Sequence, residues 1–194
     1  MFDTPGLTNK DPNIHWQPKS STDINCLIPI DPLILSIHYM GTWYEIEKLP
    51  AAFERGECVQ ATYSRLPDGM VKVYNEELLP DGKINSIEGV AEVKDPSQPA
   101  ILSVSFFKGN IVIVFCSPYW VLSTDYKSYS LVYSCSDYLS LFHIDFAWIL
   151  ARTRVLSEDF VNQLRGKLEA AGVNIKQLTV TNQTDCAGHH TFNF

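Results

Sequence analysis

No apolar run in this 194-residue chain approaches the roughly 20 residues that cross a bilayer as a helix. Its apolar stretches, Ile111 to Phe115 and Leu33 to Ile37 among them, are far too short, so a transmembrane helix is excluded. Basic charge is in deficit too. Fifteen Lys and Arg stand against 22 Asp and Glu, a formal charge of -7, and no basic cluster offsets the repulsion that a phosphate backbone would meet. No nucleic-acid partner is expected. The sequence holds no Cys-x-x-Cys and no His at metal spacing from a cysteine, which argues against zinc, and neither metal nor cofactor is expected. No spacing of Ser, His and Asp gathers a catalytic triad, so no catalytic residue is assigned. Also missing is a recognisable signal peptide: Met1 is followed by Asp3, Pro5, Gly6 and Asp11 rather than by a basic stretch running into an apolar core.

What is present is the composition of one globular domain, 45% hydrophobic and 19% charged. Five cysteines, Cys26, Cys58, Cys116, Cys135 and Cys186, are scattered along it, a pattern that suits two long-range disulfides and one spare thiol. Bridges of that kind imply an oxidising compartment. The tripeptide Asn182-Gln183-Thr184 marks Asn182 as a glycosylation acceptor. Together they point to a secreted, extracellular protein despite the atypical start.

Residues 1–38 carry Pro5, Pro12, Pro18, Pro29 and Pro32, a density that blocks a long helix, and are expected to form an irregular arm. A domain over 39–186 follows, and 187–194 is expected to be a flexible tail. From Gly41 the chain becomes short β-prone runs separated by turn chemistry such as Pro67-Asp68-Gly69 and Pro80-Asp81-Gly82. The runs are 43–48, 58–65, 71–78, 84–93, 101–107, 119–123, 129–135 and 141–151. Ser157 then precedes Glu158 and Asp159, and Phe160, Val161, Leu164 and Leu168 repeat at helical spacing before Gly172. A last β-prone run covers 175–181. Eight hairpin-joined strands and one helix fit an all-β, eight-stranded antiparallel up-and-down barrel with a C-terminal α-helix packed outside, an arrangement that leaves no free sheet edge.

Alternation then sorts the residues. Ala61, Tyr63, Val73, Asn75, Val104, Phe106, Phe146 and Trp148 face inward below an open mouth formed by the loops 50–57, 79–83, 108–117 and 136–140. The start of the first strand, the loop after the sixth and the end of the eighth fall at the opposite end, so Trp43, Asp125 and Arg152 can meet there. One conflict stands out: Glu45 and Glu47 share the parity of Trp43, which requires either a bulge or partners for a buried carboxylate.

Three separated elements, Gly41-Thr42-Trp43, Ser123-Thr124-Asp125-Tyr126 and Leu150-Ala151-Arg152, resemble those of the lipocalins. The longer motifs Gly41-Thr42-Trp43-Tyr44-Glu45-Ile46-Glu47-Lys48-Leu49-Pro50 and Phe142-His143-Ile144-Asp145-Phe146-Ala147-Trp148-Ile149-Leu150-Ala151-Arg152 extend the resemblance over Tyr39 to Cys186. The resemblance implies a lipocalin barrel whose closed end is built from Gly41, Trp43, Thr124, Asp125 and Arg152, with the arginine across the indole. It implies a bridge between Cys58 and Cys186, and a second from Cys135 for which Cys26 is the candidate partner. It also implies that Tyr63, Asn75, Phe106 and Trp148 contact a small hydrophobic ligand such as a fatty acid, a steroid or a related lipid, which is bound and transported without catalysis.

The alternatives implied are three. An apolar rim of Trp120, Leu139, Leu141 and Ile111 to Phe115 would suit a lipoprotein particle, a membrane surface or another subunit. A pigment carrier is the second. A prostaglandin-isomerase-like enzyme is the third, but it needs a thiolate in the pocket, whereas Cys58 is expected to be bridged and Cys116 lies on a mouth loop. The segment 107–116 holds no methionine, so thioether-based reduction of lipid peroxides does not carry over.

Overall fold

Eight strands close on one another because each apolar alternation ends in a turn that sends the chain back beside itself. The computed structural model describes residues 14–15, 37–93, 101–108, 111–113, 118–138 and 142–186. Its strands are β1 (Ile14–His15), β2 (Gly41–Lys48), β3 (Glu57–Arg65), β4 (Val71–Leu78), β5 (Ile84–Val93), β6 (Ile101–Lys108), β7 (Ile111–Ile113), β8 (Pro118–Thr124), β9 (Tyr129–Tyr138), β10 (Phe142–Ala151) and β11 (Thr179–Val180), with helix α1 at Glu158–Ala170. From β2 to β6 and from β8 to β10 every strand pairs antiparallel with its neighbour in the chain, β6 joins β8, and β10 returns to β2 through Trp148↔Lys48 and Ala151↔Tyr44. This is a closed eight-stranded barrel, as the sequence implies. Three short strands decorate it: β7 folds back on β6, β1 lies on β10 and β11 on β2.

The run 175–181 differs from the expected single strand. Residues Ile175–Gln177 form a 3-10 turn and only Thr179–Val180 pair, opposite Lys48 and Glu47. The reason lies in β2, which pairs with β3 only from Gly41 to Tyr44. Beyond that point the two strands part, and β11 takes the short edge that is left. The gap is bridged by side chains: the Gln183 amide donates to the carbonyls of both Glu45 and Val59, at 2.8 Å each. A disulfide between Cys58 and Cys186 ties this C-terminal segment to the start of β3, closing a loop whose sequence separation of 128 makes it worth about 4 to 5 kcal/mol as chain entropy. Cys135 is buried, whereas Cys26 and Cys116 lie outside the described residues, as do the tail 187–194 and all of the arm except 14–15 and 37–38.

Strand alternation produces two cores. Val73, Ala91, Leu102, Val104 and Leu150 point into the barrel, while Leu131, Ala147, Ile149 and Ala151 point out and are covered by Val161, Leu164 and Leu168 of α1. Ser157 starts that helix by accepting the Phe160 N–H, and Glu158 and Asp159 lie in its first turn, where the positive end of the helix dipole favours them.

One barrel end is sealed. Trp43 is fully buried, and its indole N–H donates to the Tyr39 carbonyl at 2.9 Å. Arg152 lies over the ring, its Cζ 3.6 Å from the centroid, and the guanidinium donates to the carbonyls of Thr42, His38 and Met40 at 2.8 to 2.9 Å and of Tyr126 at 3.4 Å. Gly41 lies beside the guanidinium, where an added Cβ would be 3.5 Å from Arg152 Nη1, and its φ of +93° is a conformation that strains any other L-residue. Thr124 accepts the Tyr126 N–H and donates to the Tyr129 carbonyl, and so shapes the loop that faces Arg152. Asp125 takes a different place from the expected meeting with Trp43. It is exposed, and its carboxylate accepts the N–H groups of Lys127, Ser128 and Tyr129, because a loop with so many free donors captures an acceptor at its head. It holds the loop whose Tyr126 carbonyl receives the arginine.

Trp43→Ala is expected to lower stability in urea melts by roughly 3 to 5 kcal/mol through the cavity it leaves. Arg152→Lys keeps the charge but cannot reach all four carbonyls, and a loss of about 1 to 3 kcal/mol is expected. An unchanged melt for the lysine variant would show that the carbonyls are satisfied without the guanidinium.

Candidate ligand-binding site

The other end of the barrel opens into a cavity of about 430 Å³. Its wall follows from strand parity: Ala61 and Tyr63 on β3, Val73 and Asn75 on β4, Val104 and Phe106 on β6, and Phe146 and Trp148 on β10 all line it. The four sequence-assigned contacts, Tyr63, Asn75, Phe106 and Trp148, are therefore brought together around one space. Phe106 is placed by Gly89 opposite it in β5, since a Cβ at Gly89 would lie 2.7 Å from the Phe106 ring and 2.7 Å from the Ser105 carbonyl. An aromatic wall runs along the cavity: Phe146 and Trp148 stack with centroids 5.9 Å apart, Tyr119 lies 6.4 Å from Trp148, and Phe53 packs 5.2 Å from Phe146. Phe53 comes from the loop after β2 and remains 51% exposed, so one edge of the wall is at the mouth.

The polar groups divide into used and unused. The Tyr63 hydroxyl shares a 2.8 Å hydrogen bond with that of Tyr119, and burial raises both phenols above their ordinary value, so both stay neutral. Asn75 is different: its Oδ1 is buried and accepts no hydrogen bond among the described residues. An acceptor left in that condition costs free energy that a donor arriving on a ligand recovers.

Sequence reasoning missed the acidic part of the wall, formed by Glu45, Glu54, Glu76 and Glu77. Glu54 lies in a loop, where no periodicity signals direction. Glu45 was flagged by its parity, and the conflict resolves in both of the ways it allowed. The β2–β10 register slips between Ile149 and Leu150, which face Glu47 and Glu45, so Ile46 is the extra residue of a bulge. Glu45 keeps Trp43's inward face, whereas Glu47 turns to α1 and forms a two-point pair with Arg165, Nε to Oε2 at 2.8 Å. Glu45 accepts the Thr181 hydroxyl and lies 3.5 Å from Lys48, which is itself 2.5 Å from Glu54.

A second expectation is corrected. Trp120 does not form part of an apolar rim: it is 6% exposed and stacked on Tyr133, ring centroids 5.6 Å apart, because its parity on β8 is opposite to that of the cavity-facing Tyr119. Leu139 and Leu141 lie outside the described residues. Phe53, Ile84 and Phe107 are exposed apolar side chains near the mouth, and Val180 on β11 is exposed beside the mouth end of β2.

Burial, and then the neighbouring Glu54 carboxylate, hold the Glu45 carboxyl well above the usual carboxylate range. A carboxyl raised in this way binds its proton more tightly folded than unfolded. Its contribution to stability is fullest below the unfolded value and declines as pH rises through the folded one. Glu45→Gln keeps an acceptor for Thr181 and is expected to flatten that decline in urea melts run from mildly acidic to mildly alkaline pH. An identical slope in the variant would show that Glu45 is not the group responsible.

Residues 36–183 match the family model for a lipocalin-like domain. Apolipoprotein D of Oryctolagus cuniculus is 48% identical over 148 residues, which cover 76% of this chain and 76% of that protein. Temperature-induced lipocalin-1 of Arabidopsis thaliana is 36% identical over 154 residues, covering 76% of this chain and 78% of its own. Among solved structures, insecticyanin from the tobacco hornworm Manduca sexta matches with a TM-score of 0.73 at 26% identity, over 89% of this chain and 90% of that one. Since the match runs through every barrel strand, from the sealing tryptophan to the segment that closes the gap beside β2, the chain belongs to the lipocalin family.

Proposed function

We propose that the protein binds a small hydrophobic molecule in the barrel cavity and transports it without altering it. The observation that carries this reading is an apolar, aromatic-walled space of about 430 Å³ that is sealed at one end and open at the other. Tyr63, Phe106 and Trp148 surround the apolar body of the ligand, and Asn75 accepts a hydrogen bond from its polar group. A carrier role also fits the cysteines: Cys58 is bridged and therefore is no nucleophile. The same disulfide favours an oxidising, extracellular setting. Asn182 is exposed within its sequon, which supports it as a glycosylation site.

A second reading, compatible with the first, is contact with a lipoprotein or membrane surface during ligand exchange. Phe53, Ile84 and Phe107, 51%, 42% and 39% exposed around the mouth, support it.

Titration with dodecanol and with the neutral dye Nile red tests the carrier reading. Because Trp148 lies in the wall, its emission is expected to shift or quench on binding. Trp148→Ala should cost about 1 to 3 kcal/mol of affinity while leaving the urea melt close to that of the unaltered protein. Unchanged affinity in that variant would place the ligand elsewhere.

A further inference from the structure

The cavity discriminates by charge. Glu45, Glu54, Glu76 and Glu77 line it, and among the described residues no Lys, Arg or His does. Lys48 pairs with Glu54 and Glu45 and, among the described residues, is the one cation paired with these four carboxylates. The remaining contacts are neutral donors: the Thr181 hydroxyl to Glu45, Gln60 to Glu76 at 2.9 Å, Asn85 to Glu77 at 2.7 Å, and the N–H groups of Arg55 and Gly56 to Glu77. Asn75 and Glu77 alternate on the inner face of β4, with Asn85 across from Glu77 on β5, so the unpartnered Asn75 oxygen lies beside the acidic wall. Lys48 offsets charge at Glu45 and Glu54; what is left over is the Glu77 carboxylate, which has no cation beside it among the described residues, and the Asn75 oxygen, which has no donor.

A ligand that ends in a carboxylate would add one more anion to this wall and bring no donor for Asn75. A ligand that ends in a protonated amine brings up to three donors and a positive charge. Burial and the Glu54 carboxylate raise Glu45 above its ordinary range even with the Lys48 ammonium 3.5 Å from Glu45 and 2.5 Å from Glu54, so the acidic character of this side of the wall is only partly offset.

We propose that the ligand is a long-chain amine, with its alkyl chain against Phe106, Phe146 and Trp148 and its ammonium among Glu45, Glu54, Glu77 and the Asn75 oxygen. This rests on the carrier reading and narrows it from lipids in general to those with a cationic, hydrogen-bond-donating head.

The test is calorimetric titration of the full chain near neutral pH with three probes of one chain length: dodecylamine, dodecanol and dodecanoate. Dodecylamine is expected to bind at least about tenfold more tightly than dodecanoate, with dodecanol between them. In the double variant Glu54→Gln, Glu77→Gln the ratio of amine to alcohol affinity should fall several-fold, with the near-ultraviolet circular dichroism of the unaltered protein retained as the check that the barrel is intact. Dodecanoate binding within tenfold of dodecylamine overturns the head-group proposal and leaves the carrier reading standing, as does an amine preference that survives the double substitution unchanged. If none of the three binds, the carrier reading itself fails.

Discussion

Arg152 lying across Trp43 is the contact on which the polarity of this barrel depends. An eight-stranded barrel has two ends, and each exposes carbonyls and N–H groups where the strands stop. At this end one guanidinium meets carbonyls from the segment entering β2 and from the β8–β9 turn, with the indole face beneath it. Hydrogen bonds from a charged donor contribute about 1.5 to 3 kcal/mol each, and a cation on a ring adds about 1 kcal/mol or more when dry. Tyr39 completes the seal: its ring is 5.1 Å from that of Trp43, and its hydroxyl bonds Ser130 at 2.9 Å. With one end closed by these groups, apolar side chains from the middle of the strands are free to line a space rather than fill it.

The mouth is held by a different principle. There β2 and β3 separate, and the C-terminal segment replaces the missing ladder with side-chain amides, a hydroxyl and a disulfide. Arg154 anchors this arrangement from outside, stacked 4.3 Å from the centroid of Tyr44 and donating to both Gln183 and Gln60. The polar network explains why so many carboxylates are buried near the opening: Glu76 and Glu77 have donors supplied by the local backbone or by a neighbouring amide, while Glu45 and Glu54 share the Lys48 ammonium.

Much of this was legible in the sequence because it depends on period. Alternation with turn chemistry located all eight barrel strands, and the change of period after Ser157 located α1. Parity alone put Ala61, Val73, Val104 and Trp148 on the cavity wall. What was not legible depends on a partner strand or on a loop. The Ile46 bulge is a property of the β2–β10 register, so the sequence showed only its symptom, two glutamates on an apolar face. Phe53 and Glu54 reach the cavity from a loop, where alternation carries no information. Trp120 looked like rim because it is a large apolar residue near a strand start, yet its parity sends it outside the cavity and onto Tyr133. Gln183 reads as part of a glycosylation sequon, and nothing in the sequence says that its amide bridges two strands.

The most direct test of the central claim, that the space above the Trp43–Arg152 seal is where the ligand resides, is photo-crosslinking of the full chain with a diazirine-bearing dodecanol, followed by peptide mapping. The account predicts label on β3, β6 and β10 at inward positions such as Tyr63, Phe106 and Trp148, lost in the presence of excess dodecanol. Label confined to α1 or to the outward face of the strands, or label that excess dodecanol does not displace, would contradict it.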